Sequence, residues 1–193
     1  MRIFLKVLIL IFILQSWTMA DDSRDFQIEG ISLGDNLLDY FNLKKINNNA
    51  TNESRFEGTN FKRTCIEDYG SIYDKVCATY LNNKKKIIQS VQGVLNYNKV
   101  NYKICKSKMK NVDNELSSLF ENLKKKDWGL LEISSKKETY PESTYHPITF
   151  DFQDQSRIQL ACYNYPSINH TFFKIVIYNL EIRKLLSSVA VEK

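Results

Sequence analysis

This chain of 193 residues is short of the residues from which catalytic sites are most often built: it has two histidines, six glycines and three prolines. No His-Glu-X-X-His helix, Gly-X-Ser-X-Gly elbow or phosphate-cradling glycine loop occurs in it, which excludes the local signatures of zinc proteases, serine hydrolases and nucleotide-binding loops. Its four cysteines, Cys65, Cys77, Cys105 and Cys162, include no close-spaced pair. Structural zinc and Cys-X-X-Cys redox chemistry both need such pairs, so neither is expected, and no cofactor is implied. Past position 20 no apolar run approaches the roughly 20 residues that cross a bilayer. No basic stretch is interleaved with aromatic residues in the manner of a nucleic-acid surface, so nucleic acid is not an expected partner.

What is there begins with an address. Arg2 and Lys6 lead into the apolar run 7–14, and Thr18-Met19-Ala20 closes it. A charged start, a short apolar middle and a small-residue end read as a secretory signal peptide over 1–20, with membrane association only if the leader stays uncut. Position 21 is Asp and not Cys, which disfavours a lipid at the cut site. Residues 21–193 are then expected as one α+β domain in the periplasm or outside the cell, where four cysteines pair as two disulfides. The net charge of +5 falls to +3 once Arg2 and Lys6 are removed. The lysine clusters at 44–45, 84–86, 124–126 and 136–137 read as solvated turns and helix ends. Asn49, Asn52 and Asn169 each head an Asn-X-Ser/Thr triplet, a glycan acceptor in a eukaryotic pathway and a chance pattern in an asparagine-rich chain.

The period of the apolar residues supplies the architecture. Asp35 is placed to cap a helix carrying Leu37, Leu38, Tyr40 and Phe41, and the polar stretch 47–60 reads as a surface loop. Val76, Ala78 and Tyr80 alternate with polar neighbours over 72–81. Asn82-Asn83 supplies a turn, and Ile87, Gln89, Val91, Gly93, Leu95 and Tyr97 line one side of a return strand. Between 100 and 126 the period changes: Tyr102, Cys105, Met109, Val112, Leu116, Leu119 and Leu123 form one stripe of a long helix. After an irregular connector over 128–143, Ile148, Phe150 and Phe152 pair with Ile158, Leu160 and Cys162 as a second hairpin. Phe173, Ile175 and Ile177 form one face of a further strand, and Ile182, Leu185, Leu186 and Val189 recur at helical spacing. The expected fold is an antiparallel sheet of about five strands with a long helix and shorter helices packed mainly on one face.

Four cysteines allow three pairings, and the periodicities choose one. Cys105 lies on the helix stripe and Cys162 on the core side of its strand; Cys77 points the other way, with Cys65 in a preceding loop. The bridges expected are therefore Cys65 to Cys77 and Cys105 to Cys162. His146 at a strand entrance and His170 in a polar turn read as surface residues. Asp151, Asp154, Glu67 and Asp68 fall at turns and strand ends, where carboxylates are ordinarily solvated. Trp128, Tyr140, Tyr145, Tyr163 and Tyr165 fall on the connector and on strand positions outside the core face, and form the candidate binding surface. Tyrosines on the solvent side of a sheet also arise for structural reasons alone.

The segment 25–41, with Gly30-Ile31-Ser32-Leu33-Gly34-Asp35 at its centre, resembles the opening of a group of small, uncharacterised exported proteins of marine bacteria with AT-rich genomes; 102–120 and 148–163 are similar in patches. That resemblance implies export and no particular activity. The Gly-Ile-X-Leu-Gly-Asp stretch is also loosely similar to the starts of domains with the beta-lactamase inhibitor protein fold. The expected function is a non-enzymatic exported domain that binds another protein or an envelope component through its exposed sheet face and the connector. The alternative is a small hydrolase or carbohydrate-active enzyme working through carboxylates.

Overall fold

The computed structural model describes residues 22–98, 101–133 and 139–191; the expected leader over 1–20 lies outside them. Nine strands form one antiparallel sheet: β1 (Ala50–Thr51), β2 (Phe61–Glu67), β3 (Lys75–Leu81), β4 (Ile88–Asn98), β5 (Lys124–Asp127), β6 (Leu131–Glu132), β7 (Thr144–Asp151), β8 (Arg157–Tyr165) and β9 (His170–Tyr178). The helices are α1 (Leu43–Asn48), α2 (Tyr102–Leu119) and α3 (Leu180–Val191). The spatial order is β1-β2-β3-β4-β9-β8-β7-β5, with β6 also on β7. Two meanders, β1 to β4 and β7 to β9, thus join at a central β4–β9 pair whose register runs from Ser90 opposite Tyr178 to Asn98 opposite His170. That α+β class is as expected, but the sheet has nine strands and not about five. The additional strands are β2, whose sequence shows little apolar alternation, and the short pieces β1, β5 and β6.

Period-two alternation gives the sheet two unlike faces. On the core face, Ile66, Val76, Ala78, Val91, Ile148, Phe150, Ile158, Leu160, Cys162, Phe173, Ile175 and Ile177 are buried in one cluster. The stripe of α2 covers them, with Cys105, Met109 and Leu116 buried. The helix ends earlier than its sequence period extends: Leu119 is exposed, and Phe120 caps it and packs against Phe26 and Phe152. Residues 124–126 leave the expected helix altogether and, with Asp127, become the lysine-rich edge strand β5, exposed along its length, a composition that discourages further edge pairing.

The segment before β2 also lies on the core face. The expected helix after Asp35 is only a three-residue 3-10 turn, Leu37–Asp39, capped by the side chain of Asn36 and not by Asp35. Asp35 instead accepts from Ser32 N and from the Tyr40 hydroxyl. The supposed loop over 47–60 contains the end of α1, whose Ile46 is fully buried, the short β1 and a 3-10 turn, Ser54–Phe56. Glu29 anchors this segment to the β2–β3 turn: its Oε1 accepts from Ser71 N, Ile72 N and Tyr73 N at 2.6–3.1 Å, and its carboxylate leaves no room for a Cβ at Gly70. In β4 a bulge at Gln89 puts Tyr80 opposite Ile88 while Thr79 faces Ser90, so Ile88 and not Ile87 or Gln89 joins Val91 on the core side.

Helices occupy both faces: α1 and α2 pack on the core face, where the helices were expected mainly to lie, and α3 packs on the other. After Tyr178 the Asn179 side chain accepts from Ile182 N and starts α3, and its amide donates to Gln89 Oε1 at 2.5 Å. Ile182, Leu185 and Leu186 then pack with Val176, Tyr178, Phe56 and Phe61 into a second, smaller cluster on the outer face. The side chain of Val189 lies outside the described residues. Disulfides join Cys65 to Cys77 and Cys105 to Cys162, the pairs drawn from the periodicities. The first links directly opposed residues of β2 and β3, so Cys65 is on a strand and not in a loop. The second fastens α2 to β8 across 57 residues of chain.

Candidate functional surface

α3 and the Ser54–Phe56 turn cover only the Val176–Tyr178 end of the outer face. Towards the other end of β8 and β9, the strand registers place Tyr145 opposite Tyr163 and Tyr163 opposite Phe172. All three point outward, and their rings stack: Tyr145 on Tyr163 at 5.4 Å and 14°, Tyr163 on Phe172 at 4.7 Å and 10°. Tyr165 stacks on Phe172 at 6.0 Å, Tyr140 from the connector meets Tyr165 edge-on at 5.5 Å, and His170 lies 5.5 Å from Phe172. Cross-strand aromatic pairs of this kind contribute roughly 0.2–1 kcal/mol each beyond alanine. Rings stacked in a row spend their faces on one another.

Trp128 stands beside the row rather than in it. Its backbone N donates to Pro147 O, its indole Nε1 donates to Thr149 Oγ1 at 3.2 Å, and Lys126 Nζ sits 3.3 Å from its ring centroid. Thr149 shares the outer face with Tyr145, two alternations along β7. The structure therefore brings Tyr140, Tyr145, Tyr163 and Tyr165 into one stacked group, with Trp128, 42 % exposed, at its flank. Burial pushes Tyr163 up to about 12 and raises Tyr145 and Tyr165 as well, so the row is neutral at physiological pH.

Sequence reasoning missed three members of this face. Phe172 completes the row, and Lys174 places its ammonium 4.6 Å from the centroid of Tyr163. Alternation against Phe173 and Ile175 was the signal that would have placed both outward. Arg63, from β2, reaches the same face: its Nη2 donates to Gln92 Oε1 at 2.7 Å and its Nη1 pairs with Glu53 at 3.2 Å. Burial, with Arg63 and Arg55 adding to it, pushes Lys174 down to about 7.

The other candidates do not converge. His146 lies on the core-side face at the β5–β7 edge, with Nε2 2.6 Å from Asp127 Oδ1. Burial opposes ionisation of Asp127, but the N–H of Gly129 and the His146 ring outweigh it and hold the carboxyl below its usual range. His170 sits at the head of β9 beside Phe172. Asp151 pairs with Arg157 at 2.6 Å and Arg183 at 3.1 Å, and Asp154 accepts from Ser23 and Ser156. Glu67 pairs with Lys75 at 2.9 Å beside Asp68, at the end of β2, several strands away from that pair. Among the described residues no group of three or more His, Cys, Asp or Glu is arranged to hold a metal. Of the three asparagine triplets, Asn52 and Asn169 are exposed, and Asn49 caps α1 with its amide donating to Lys45 O.

Among the described residues no helix is long and apolar enough to cross a membrane. No family model matches the chain, and no curated protein or solved structure does either. The functional reading therefore stands on geometry.

Proposed function

We propose that the protein is a non-enzymatic exported domain that binds another protein through the outer face of its sheet, with the tyrosine row as the centre of the contact and Trp128 and the connector at its rim. The observation that carries this reading is the in-register stack of Tyr145, Tyr163 and Phe172 at the end of the sheet that α3 leaves open. Tyrosine gives a large, rigid contact area with two rotatable side-chain bonds and a hydroxyl for hydrogen bonding, which suits it to protein recognition. Rings stacked on one another leave few free faces, whereas a sugar ring stacks on an exposed aromatic face. Two disulfides are compatible with an oxidising compartment.

The hydrolase alternative needs two carboxylates across one cleft. Asp151 and Asp154 stand at the β7–β8 turn, Glu67 and Asp68 at the end of β2, and each pair has its own partners or solvent. No observation favours that chemistry.

A photoreactive phenylalanine at Tyr145 tests the surface in the native envelope, with the same group at exposed Ile104 of α2 as the opposite-face control. The expected result is a crosslinked adduct of discrete mass from position 145 alone. Equal yields from both faces, or none from 145, would overturn the assignment.

A further inference from the structure

Beside the tyrosine row, between the sheet, the Ser54–Phe56 turn and α3, lies a cavity of about 60 Å³. About 10–15 Å³ of such space is enough for one water, so the cavity has room for a few waters or one small ion. Three cations from three separate elements reach it: Arg55 from the turn, Arg63 from β2 and Lys174 from β9, with the hydroxyls of Thr79 and Ser90 in its wall. One carboxylate stands nearby, and both arginines already engage it: Glu53 lies 2.7 Å from Arg55 Nε and 3.2 Å from Arg63 Nη1. Lys174 Nζ has no hydrogen-bond or ion-pair partner among the described residues and lies over the Tyr163 ring. Arg63 Nε is buried and has no acceptor among them either.

Arg55 is exposed, but Arg63 and Lys174 are largely covered, and covered cations in excess of their counter-charge are costly unless an anion joins them. The usual way out for a lysine is to run its stem over apolar surface and put the ammonium in water. Lys174 instead is only partly exposed, on a central strand, with Ile182 and Leu186 of α3 lining the same cavity. Arg63 is fixed by Glu53 on one nitrogen and Gln92 on another, so the planar group, with Nε–H among its remaining donors, is already oriented before any ligand arrives. We infer that this cavity is a binding site for a small oxyanion, a carboxylate, sulfate or phosphate group, held by Lys174 and Arg63 with Arg55 adding charge.

The site carries its own pH signature. Among the described residues the charged or titratable groups around Lys174 are Glu53, Arg55, Arg63, Tyr163 and Tyr178; Thr79, Ser90 and Gln92 from β3 and β4 and Ile182 and Leu186 from α3 do not titrate. Tyr178, also lining the cavity, has its pKa raised by burial and stays neutral. With Lys174 pushed down to about 7, its charge is nearly complete at pH 6 and nearly gone at pH 8.

Calorimetric titration with sulfate and with acetate, neither of which changes charge between pH 6 and pH 8, reads the site directly, against sodium chloride at matched ionic strength. At least one of the two is expected to bind saturably, one per chain and about tenfold tighter at pH 6 than at pH 8. Lys174→Met is expected to weaken binding at pH 6 and to abolish the pH dependence, while Lys174→Arg holds the pH 6 affinity at pH 8. Arg63→Gln, with folding checked by circular dichroism, is expected to weaken binding about tenfold at both pH values. No saturation beyond that of chloride, or titration curves unchanged by Lys174→Met, would overturn the proposal. The test is separate from the docking reading, since sulfate needs no protein partner and the Tyr145 crosslink needs no anion.

Discussion

Phe172 and Phe173 are neighbours in β9, yet they belong to different regions of the molecule. Phe173 is fully buried on the core face, in the cluster that α2 covers. Phe172 is half-buried on the outer face, with its ring stacked on Tyr163 and Tyr165 and nothing like the same enclosure. The core face is continuous hydrocarbon from Ile66 on β2 to Phe150 on β7, and a disulfide ties its helix to it. The outer face is a mosaic of a small apolar cluster, a cationic cavity and a stacked row. One strand period thus divides the labour: stability resides on one side of the sheet, and the groups available to a ligand on the other.

The largest test of that division is a pair of substitutions one residue apart. Phe173→Ala opens a cavity in a closed core and is expected to cost about 3–5 kcal/mol in urea denaturation. Phe172→Ala loses stacking and partial burial, about 1 kcal/mol. Equal costs would mean that the outer face is a second core and would remove the argument for a docking surface.

The two disulfides sharpen the same contrast. Replacing Cys105 and Cys162 by Ala releases a 57-residue closure, and the chain-entropy model gives roughly 4 kcal/mol for it. The same change at Cys65 and Cys77 releases 12 residues and gives roughly 3 kcal/mol on that model. These cysteines are already directly opposed in the β2–β3 ladder, so the smaller loss should appear without detachment of a helix. Near-ultraviolet circular dichroism of the two variants distinguishes a loosened α2 from a frayed edge.

Much of the core face was legible in the sequence because its strands obey period two and its helix obeys the three- and four-residue step. β3, β7, β8 and β9 follow that rule, as do β4 beyond its bulge and α2 up to Leu116, and the cysteine pairing follows from the faces they define. β2 was not legible: Phe61 to Glu67 buries only Thr64 and Ile66, so its pattern looks like a polar linker. β5 reads as a basic turn, since Lys124 to Asp127 are all exposed and become a strand only by pairing with β7. The direction in which α3 turns is set by Asn179 meeting Gln89, 90 residues away, which no local period encodes. The tyrosines could be placed outward from alternation alone. Their stacking with Phe172, and the meeting of Arg55, Arg63 and Lys174, depend on registers among strands far apart in the chain.

Lys174 gives the two faces different pH behaviour. Its pKa is about 7 in the folded chain, against an ordinary lysine value of 10.5, so between those values the unfolded chain holds more protons. Stability therefore rises with pH across that window, by roughly 2 kcal/mol from pH 7 to pH 9. Above about pH 10 the sign reverses, because Tyr40, Tyr73 and Tyr163, each pushed up to about 12, stay protonated in the fold while unfolded tyrosines ionise. Lys174→Met should be more stable than the parent at pH 7 and should lose the rising limb; denaturant midpoints at pH 7, 8 and 9 measure both. A rising limb that persists in Lys174→Met would assign it to other groups.

Trp128→Ala is expected to have a small effect on the fold and to separate the faces most cleanly. The residue is 42 % exposed, and its described polar contacts are a backbone bond to Pro147 that alanine keeps, the indole bond to Thr149 and the ring under Lys126. Losing the last two should cost about 1–2 kcal/mol of stability, read from the denaturation midpoint. As a rim residue of the docking face it should lower the yield of the Tyr145 crosslink without shifting the pH dependence of sulfate binding. A large loss of stability instead would make Trp128 a structural clamp on the β5–β7 edge, and the contact surface would then shrink to the tyrosine row itself.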